Sequence, residues 1–286
     1  MTKQVQGLLG VLGWPLTYTL SPELHTAAFR AANLDWVYLA WPVPPEALGD
    51  AIAGLRALGA IGVNLTMPHK STVLELLDDL GGDAEAVGAV NTLQFTGGRV
   101  IGHNTDIEGF SRFLSGDAGF DADGRRALVV GAGGAARAVV RALDQLGASE
   151  VTVAARDIAR AEEVASLSEG GRPLAWSDAP AAVPEVDVIV NATPLGTGDE
   201  DALPGASFGP DQTVVDLIYS PASTPLIEHA RAAGAAAWGG LGMLIHQAGA
   251  AFRIWTGQPP PLETMSAAAL RATGLHRHLE TQSLDL

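Results

Sequence analysis

Residues 127–147, ALVVGAGGAARAVVRALDQLG, decide the fold. Ala127–Val130 is a short, unbroken apolar run, the composition of a strand buried on both faces. Gly131-Ala-Gly133-Gly134-Ala135-Ala136 follows at once and matches G-x-G-x-x-G/A. Ala135–Leu146 then reads as a helix, closed by Gly147. Strand, glycine turn and helix in that order open a dinucleotide-binding βαβ unit. The first glycine permits the tight turn, and Gly133 lets backbone N–H groups approach a pyrophosphate. Ala136 lets the helix lie close to the sheet, and the helix N-terminus offers donors and a positive dipole to the phosphates.

The second strand of the unit, Val151–Ala155, bears on which nicotinamide would bind. An NAD site places Asp or Glu about twenty residues after the glycines, on the ribose 2′-hydroxyl. Here the strand ends Ala154-Ala155-Arg156-Asp157, with Arg160 one helical turn on. Two guanidinium groups suit a 2′-phosphate. Asp157 argues the other way, unless its carboxylate caps the helix beginning at Ile158. NADP is the expectation, with NAD as the alternative.

Working outward, helix Ile158–Leu167, strands Val186–Val190 and Thr213–Leu217, helix Pro225–Ala233 and a short strand near Ala236 continue the alternation. Ser115–Gly124 reads as a loop before the unit. Upstream, strands Leu8–Leu12, Val37–Ala40 and Ile61–Leu65 alternate with helices Pro22–Ala32, Pro45–Leu58 and Ser71–Leu77. Such βαβα order implies a parallel sheet with helices on its faces. From Leu241 the chain is helical, broken at Gly257–Pro261 and resumed through Thr264–Thr273. The tail after Leu275 is polar and expected to fray.

The 286 residues carry a formal net charge of −15, which excludes an even basic surface and so the usual footprint of nucleic-acid binding. There is no cysteine, hence no disulfide framework, thiolate nucleophile or Cys-based zinc site. The N-terminal apolar run is too short and too broken for a signal peptide or membrane span, so a soluble cytoplasmic protein is expected. His25, His69, His103, His229, His246, His276 and His278 show neither H-x₃-H nor H-E-x-x-H spacing, and no metal is expected.

Five further stretches bring small polar residues to the ends of apolar runs: GWPLTYTLSP (13–22), GVNLTMPHK (62–70), GAVNTL (88–93), GHNTDIEGF (102–110) and DLIYSP (216–221). Strand ends are the usual ligand positions of open α/β sheets. Taken with Asn191-Ala192-Thr193-Pro194 and Gly242-Met243-Leu244-Ile-His-Gln247-Ala248, these motifs resemble, in order and over nearly the whole chain, the shikimate dehydrogenase family.

The resemblance implies two α/β domains: a substrate domain with a mostly parallel sheet, residues 1–105 completed by 241–286, and a Rossmann-like domain, residues 106–240. It implies reversible NADP-dependent reduction of 3-dehydroshikimate to shikimate, in aromatic biosynthesis, by a monomer or homodimer. Thr19 and Ser21 stand where the family's two serines hold the substrate carboxylate, with Tyr219 adding a phenolic donor. Asn64, Thr66, Asn91 and Gln247 stand around the ring hydroxyls. Asn191, Ala192, Thr193, Leu217, Gly240 and Met243 join Gly131, Gly133, Gly134, Ala135, Ala136, Arg156, Asp157 and Arg160 on the cofactor.

Hydride transfer to a ketone leaves charge on oxygen, which calls for a proton donor there. Lys70 is the candidate and Asp106 its partner. Ordinary roles compete: Lys70 as a solvated lysine at a helix start, Ser21 and Asp106 as helix caps, Gln247 as a helix-surface residue. A lysine at a helix start runs against the dipole, which makes chance placement less attractive. Two positions depart from the family pattern. Its His-Ser is Tyr18-Thr19 here, and the Asn usual before Arg156 is Ala155. The alternatives are therefore a relative acting on quinate or a similar acid with NAD, and a non-catalytic sensor of nucleotide or shikimate.

Overall fold

The computed structural model describes residues 6–198, 200–219 and 223–274. Two compact units divide the chain, one of residues 1–105 with 245–286 and one of residues 106–244.

The first unit runs β1 (Gly7–Gly13), α1 (Ser21–Ala31), β2 (Trp36–Pro42), α2 (Leu48–Ala57), β3 (Gly62–Leu65), α3 (His69–Thr72), β4 (Asp79–Leu80), α4 (Ala84–Val87), β5 (Thr92–Thr96) and β6 (Arg99–His103). Its sheet has the order β2-β1-β3-β5-β6-β4. β1 is parallel to β2 and β3, and β4 to β6, while β5 runs antiparallel to both β3 and β6. The β5–β6 hairpin is absent from the sequence reading. Its signal is the pair Gly97-Gly98, whose φ values of +56° and +76° supply the left-handed turn that joins twisted strands.

β1 is buried at nearly every residue, so both of its faces are covered. Leu12 packs with Leu48, Ile52 and Leu55 of α2 and with Val63, Leu65 and Leu93. On the helices of the other face, Phe29 of α1 stacks on Phe252 at 6.0 Å between ring centroids. Each such buried Leu or Phe contributes roughly 1.5–3 kcal/mol.

The second unit runs α5 (Asp106–Arg112), β7 (Arg126–Val130), α6 (Gly134–Gln145), β8 (Glu150–Ala155), α7 (Ile158–Ala165), β9 (Gly171–Ala175), α8 (Ala179–Ala182), β10 (Val188–Asn191), β11 (Thr213–Asp216), α9 (Pro225–Ala232) and β12 (Ala236–Gly239). Its strands, in the order β12-β11-β10-β7-β8-β9, are all parallel to their neighbours, the doubly wound Rossmann arrangement. α6 buries Ala136, Val139, Val140 and Leu143, an i, i+3, i+4, i+7 stripe against the sheet. β9 was not expected, because Pro173 disguises it. An edge strand tolerates proline, and β9 is the last strand of the sheet. Of the expected loop 115–124, residues 115–117 instead close a π turn, Phe113–Asp117. α10 (Leu241–Thr256) and α11 (Leu262–Ala272) end the described chain.

Candidate active site

The first unit carries a connected set of buried amides and hydroxyls at the ends of β3 and β5. Asn64, the third residue of β3, donates through Nδ2 to the Asn91 carbonyl at 3.1 Å and to Thr92 Oγ1 at 2.9 Å. Its Oδ1 accepts from the Tyr38 hydroxyl at 2.6 Å. Asn91 Nδ2 reaches Thr105 Oγ1 at 2.9 Å and Gln247 Oε1 at 3.4 Å, while its Oδ1 accepts from Thr105 N at 2.8 Å. All six residues are buried, and an unpaired buried polar group costs about 1–3 kcal/mol, so the bonds fix how each amide points. Gln247 is therefore an interior residue and not a helix-surface one.

Lys70 lies half-buried in α3, and its carbonyl accepts from Val90 N at 2.7 Å, one residue before Asn91. α3 is only four residues long, too short for the dipole argument to weigh on Lys70. Thr66 N donates to the Leu12 carbonyl and Trp14 N to the Met67 carbonyl, both at 2.9 Å, so the 13–22 and 62–70 motifs are tied together through their backbones.

Ser21 does not cap α1. It is the first helical residue, the position before it is Leu20, and no side chain caps the helix. Thr19 Oγ1 instead donates to Ser21 Oγ at 3.2 Å, pairing the two hydroxyls expected to act together. Four residues on, on the same helix face, His25 is fully buried and stacks on Tyr38 at 4.4 Å and 10°. Neither of its ring nitrogens has a hydrogen-bond partner among the described residues. Burial pushes its pKa down to about 3, outweighing an opposing influence from Asn64. His25 and Tyr38 thus connect the helix that begins with Ser21 to Asn64. The sequence reading missed both, since Tyr38 hides in the apolar run WVYLAWP and His25 in a helical stretch. Tyr18 is 49% exposed, so the ring at the family's histidine position stands largely in solvent.

Asp106 opens α5 in the second unit, buried, directly after Thr105 in the chain. In that unit Gly131 has φ +114°, a conformation that strains any other residue. A Cβ there would lie 2.9 Å from Thr193 Cγ2 and 3.0 Å from the Ala192 carbonyl oxygen. Asn191, at the end of β10, accepts through Oδ1 from Thr193 N at 3.0 Å and Thr193 Oγ1 at 2.7 Å. Leu217 N donates to the Asn191 carbonyl and Gly240 N to the Ile218 carbonyl, both at 3.0 Å. Asn191, Leu217 and Gly240 are therefore one backbone-linked patch, and Met243 is buried just beyond it.

Gly133 precedes α6 with no side-chain cap, and a Cβ added to it would meet nothing within 4 Å. An exposed helix N-terminus with uncapped N–H groups and open space in front of it fits a pyrophosphate. At the end of β8, Asp157 is the N-cap of α7, its carboxylate accepting from Ala159 N at 3.1 Å and Arg160 N at 3.4 Å. It is engaged with its own helix, and Arg160 lies 3.7 Å from it. Arg156 is exposed and has no ion-pair partner among the described residues. The set fits a 2′-phosphate better than a bare ribose.

Residues 11–93 match the shikimate dehydrogenase substrate binding domain, residues 116–197 the shikimate/quinate 5-dehydrogenase domain, and residues 240–270 the shikimate 5′-dehydrogenase C-terminal domain. A Geobacter metallireducens shikimate dehydrogenase (NADP(+)) is 42% identical over 275 residues, covering 93% of this chain and 96% of that protein. The chain belongs to the shikimate dehydrogenase family. Two solved structures frame it within that family. Shikimate 5-dehydrogenase from Thermus thermophilus, in complex with NADP(H) and shikimate, shares 38% identity at a TM-score of 0.85, covering 93% of this chain and all of that one. Quinate dehydrogenase from Corynebacterium glutamicum, in complex with NAD, shares 32% at 0.82, covering 93% of this chain and 99% of that one.

Among the described residues no group of three His, Cys, Asp or Glu could hold a metal ion, and no helix is long and apolar enough to cross a membrane. His276, His278, the tail after Leu275, and Ser220 and Pro221 of the DLIYSP motif lie outside the described residues.

Proposed function

We propose that the chain is an NADP-dependent shikimate dehydrogenase of the cytoplasm, reducing 3-dehydroshikimate to shikimate reversibly. Membership of the family at 42% identity over nearly the full length carries the reading. The engagement of Asp157 as a helix cap, with Arg156 left without an ion-pair partner among the described residues, supports NADP over NAD.

The residue roles follow from the chemistry. Most of the substrate residues belong to the first unit, and the dinucleotide residues belong to the second. Thr19 and Ser21 donate their hydroxyls to the carboxylate, charge-assisted bonds that hold an anion without a buried arginine. Tyr219 adds a third donor. Asn64, Thr66, Asn91 and Gln247 hold the ring hydroxyls, and the bonds among Asn64, Asn91 and Gln247 orient those three amides before substrate arrives. Gly133, Gly134, Ala135 and Ala136 face the pyrophosphate with backbone N–H groups, Arg156 and Arg160 the 2′-phosphate, and Asn191 to Thr193 with Leu217, Gly240 and Met243 the nicotinamide end. When bound, NADPH supplies the hydride that the carbonyl carbon receives. Lys70 gives a proton to the oxygen that gains charge, and Asp106 is assigned to a ring hydroxyl.

The deciding experiment is a set of initial rates with shikimate and quinate, each against NADP and NAD. A preference for shikimate with NADP is expected. A preference for quinate or NAD sinks the assignment and makes Tyr18-Thr19 and Ala155 functional substitutions. Binding of both ligands without turnover would make the protein a sensor.

A further inference from the structure

Asp216, the last residue of β11, has no part in the reaction as written above. It is fully buried and forms no ion pair among the described residues. Oδ1 accepts from Asn191 Nδ2 at 2.9 Å and from Ile218 N at 3.1 Å, and Oδ2 accepts from Thr224 Oγ1 at 2.7 Å. Burial pushes its pKa up; bonds from Thr224, Ile218 and Asn191 pull it down, and Asp201 adds to the rise. A buried carboxylate is costly unless it is well bonded, and here three donors from three segments converge on it.

Each donor leads somewhere. Asn191 Nδ2 also bonds the Leu195 carbonyl at 2.9 Å, and its Oδ1 holds Thr193, whose methyl, with the Ala192 carbonyl, lies against Gly131 of the glycine turn. Ile218 immediately precedes Tyr219. Thr224 is the N-cap of α9, accepting from Ile227 N at 3.5 Å. One side chain thus spans the loop after β10, the loop after β11 and the start of α9.

We propose that Asp216 is a positioning residue: it seats the Asn191–Thr193 loop against the glycine turn and fixes the Ile218–Tyr219 segment beside it. Dinucleotide and substrate binding therefore weaken together when it is lost. The substrate half rests on the dehydrogenase reading above; the dinucleotide half stands on the glycine turn.

The test compares the full-length wild type with Asp216→Ala, Asp216→Asn and Thr224→Val. Calorimetry reads Kd for NADP and for NAD, and steady-state rates read kcat and KM for shikimate. In Asp216→Ala, Kd for the bound dinucleotide and KM for shikimate should each rise about 10-fold, with saturating kcat within about 3-fold. Asp216→Asn should recover both, because its oxygen still accepts from Asn191 and Ile218 while its amide donates to a turned Thr224 hydroxyl. Thr224→Val should lower Tm and leave dinucleotide Kd within about 2-fold, since the Asn191 branch is intact. Asp216→Ala with a lowered Tm but wild-type Kd and KM overturns the proposal, for that is the signature of a stabilising bond alone. If Asp216→Ala does not fold, Asp216→Ser is read in its place by the same criteria. A wild type that binds dinucleotide but does not turn over shikimate sinks the functional reading, and the Kd comparison still decides Asp216. A wild type that binds neither dinucleotide overturns both.

Discussion

Around Gly131 the second unit brings residues together through backbone and small side chains, Thr193 and Ala192 resting on a glycine that has nothing to offer but space. In the first unit, Asn64, Asn91 and Gln247 meet through side-chain amides whose partners lie 27 and 156 residues apart. One site is made by a turn, the other by a network. A turn is specified by neighbours in sequence and tolerates little change in its own backbone. A network is specified by the fold, and a single atom removed from it leaves another buried and unpaired.

The largest effect should come from the first unit alone. Lys70→Ala should lower kcat by about 10²–10⁴-fold while calorimetric NADP affinity stays within about 2-fold. Intact turnover would remove Lys70 from the chemistry. Next, Gly133→Val should raise dinucleotide Kd on the order of 100-fold with little change in Tm, because the new side chain enters open space that a pyrophosphate would fill. Unchanged affinity would show that the glycine turn does not face phosphate and would break the contrast between the units.

Tyr38→Phe removes one hydroxyl and leaves Asn64 Oδ1 without its 2.6 Å donor. Stability should fall by about 1–2 kcal/mol and KM for shikimate rise about 5-fold, with dinucleotide Kd unchanged. A parallel loss of dinucleotide affinity would mean that the first-unit network does not act on substrate alone.

The smallest effect concerns pH. His25 has a pKa near 3 in the folded chain against an ordinary 6.5. Above pH 6.5 the ring is neutral folded or unfolded and contributes no slope. Below it the unfolded chain takes a proton that the folded chain refuses until about pH 3, so stability falls by at most ~1.4 kcal/mol per pH unit. Urea unfolding at pH 7.5 and 5.5 should show wild type losing about 1 kcal/mol more than His25→Phe. Parallel losses would mean that His25 is not held neutral.

The legibility of each region follows the same contrast. The strand–glycine–helix of residues 127–146 and the later parallel strands could be read because each is signalled within a few residues. The β5–β6 hairpin carried an equally local signal in Gly97-Gly98, which the repeated βα alternation masked. Asp157 illustrates a different limit. Its sequence position allowed both a ribose ligand and a helix cap, and only the direction of its carboxylate toward Ala159 N and Arg160 N distinguishes them.

By itself the sequence determined that the chain holds a dinucleotide turn, that polar motifs end its strands, and that these motifs stand in the order of one family. Short-range backbone geometry and residue chemistry suffice for that. Tertiary structure alone decided that Tyr38 orients Asn64, that Gln247 closes the network from the last helices, and that Asp216 gathers the end of β10, the loop after β11 and the cap of α9 onto one carboxylate. A buried polar atom must find its partner wherever packing brings one, and no spacing along the chain records where that will be.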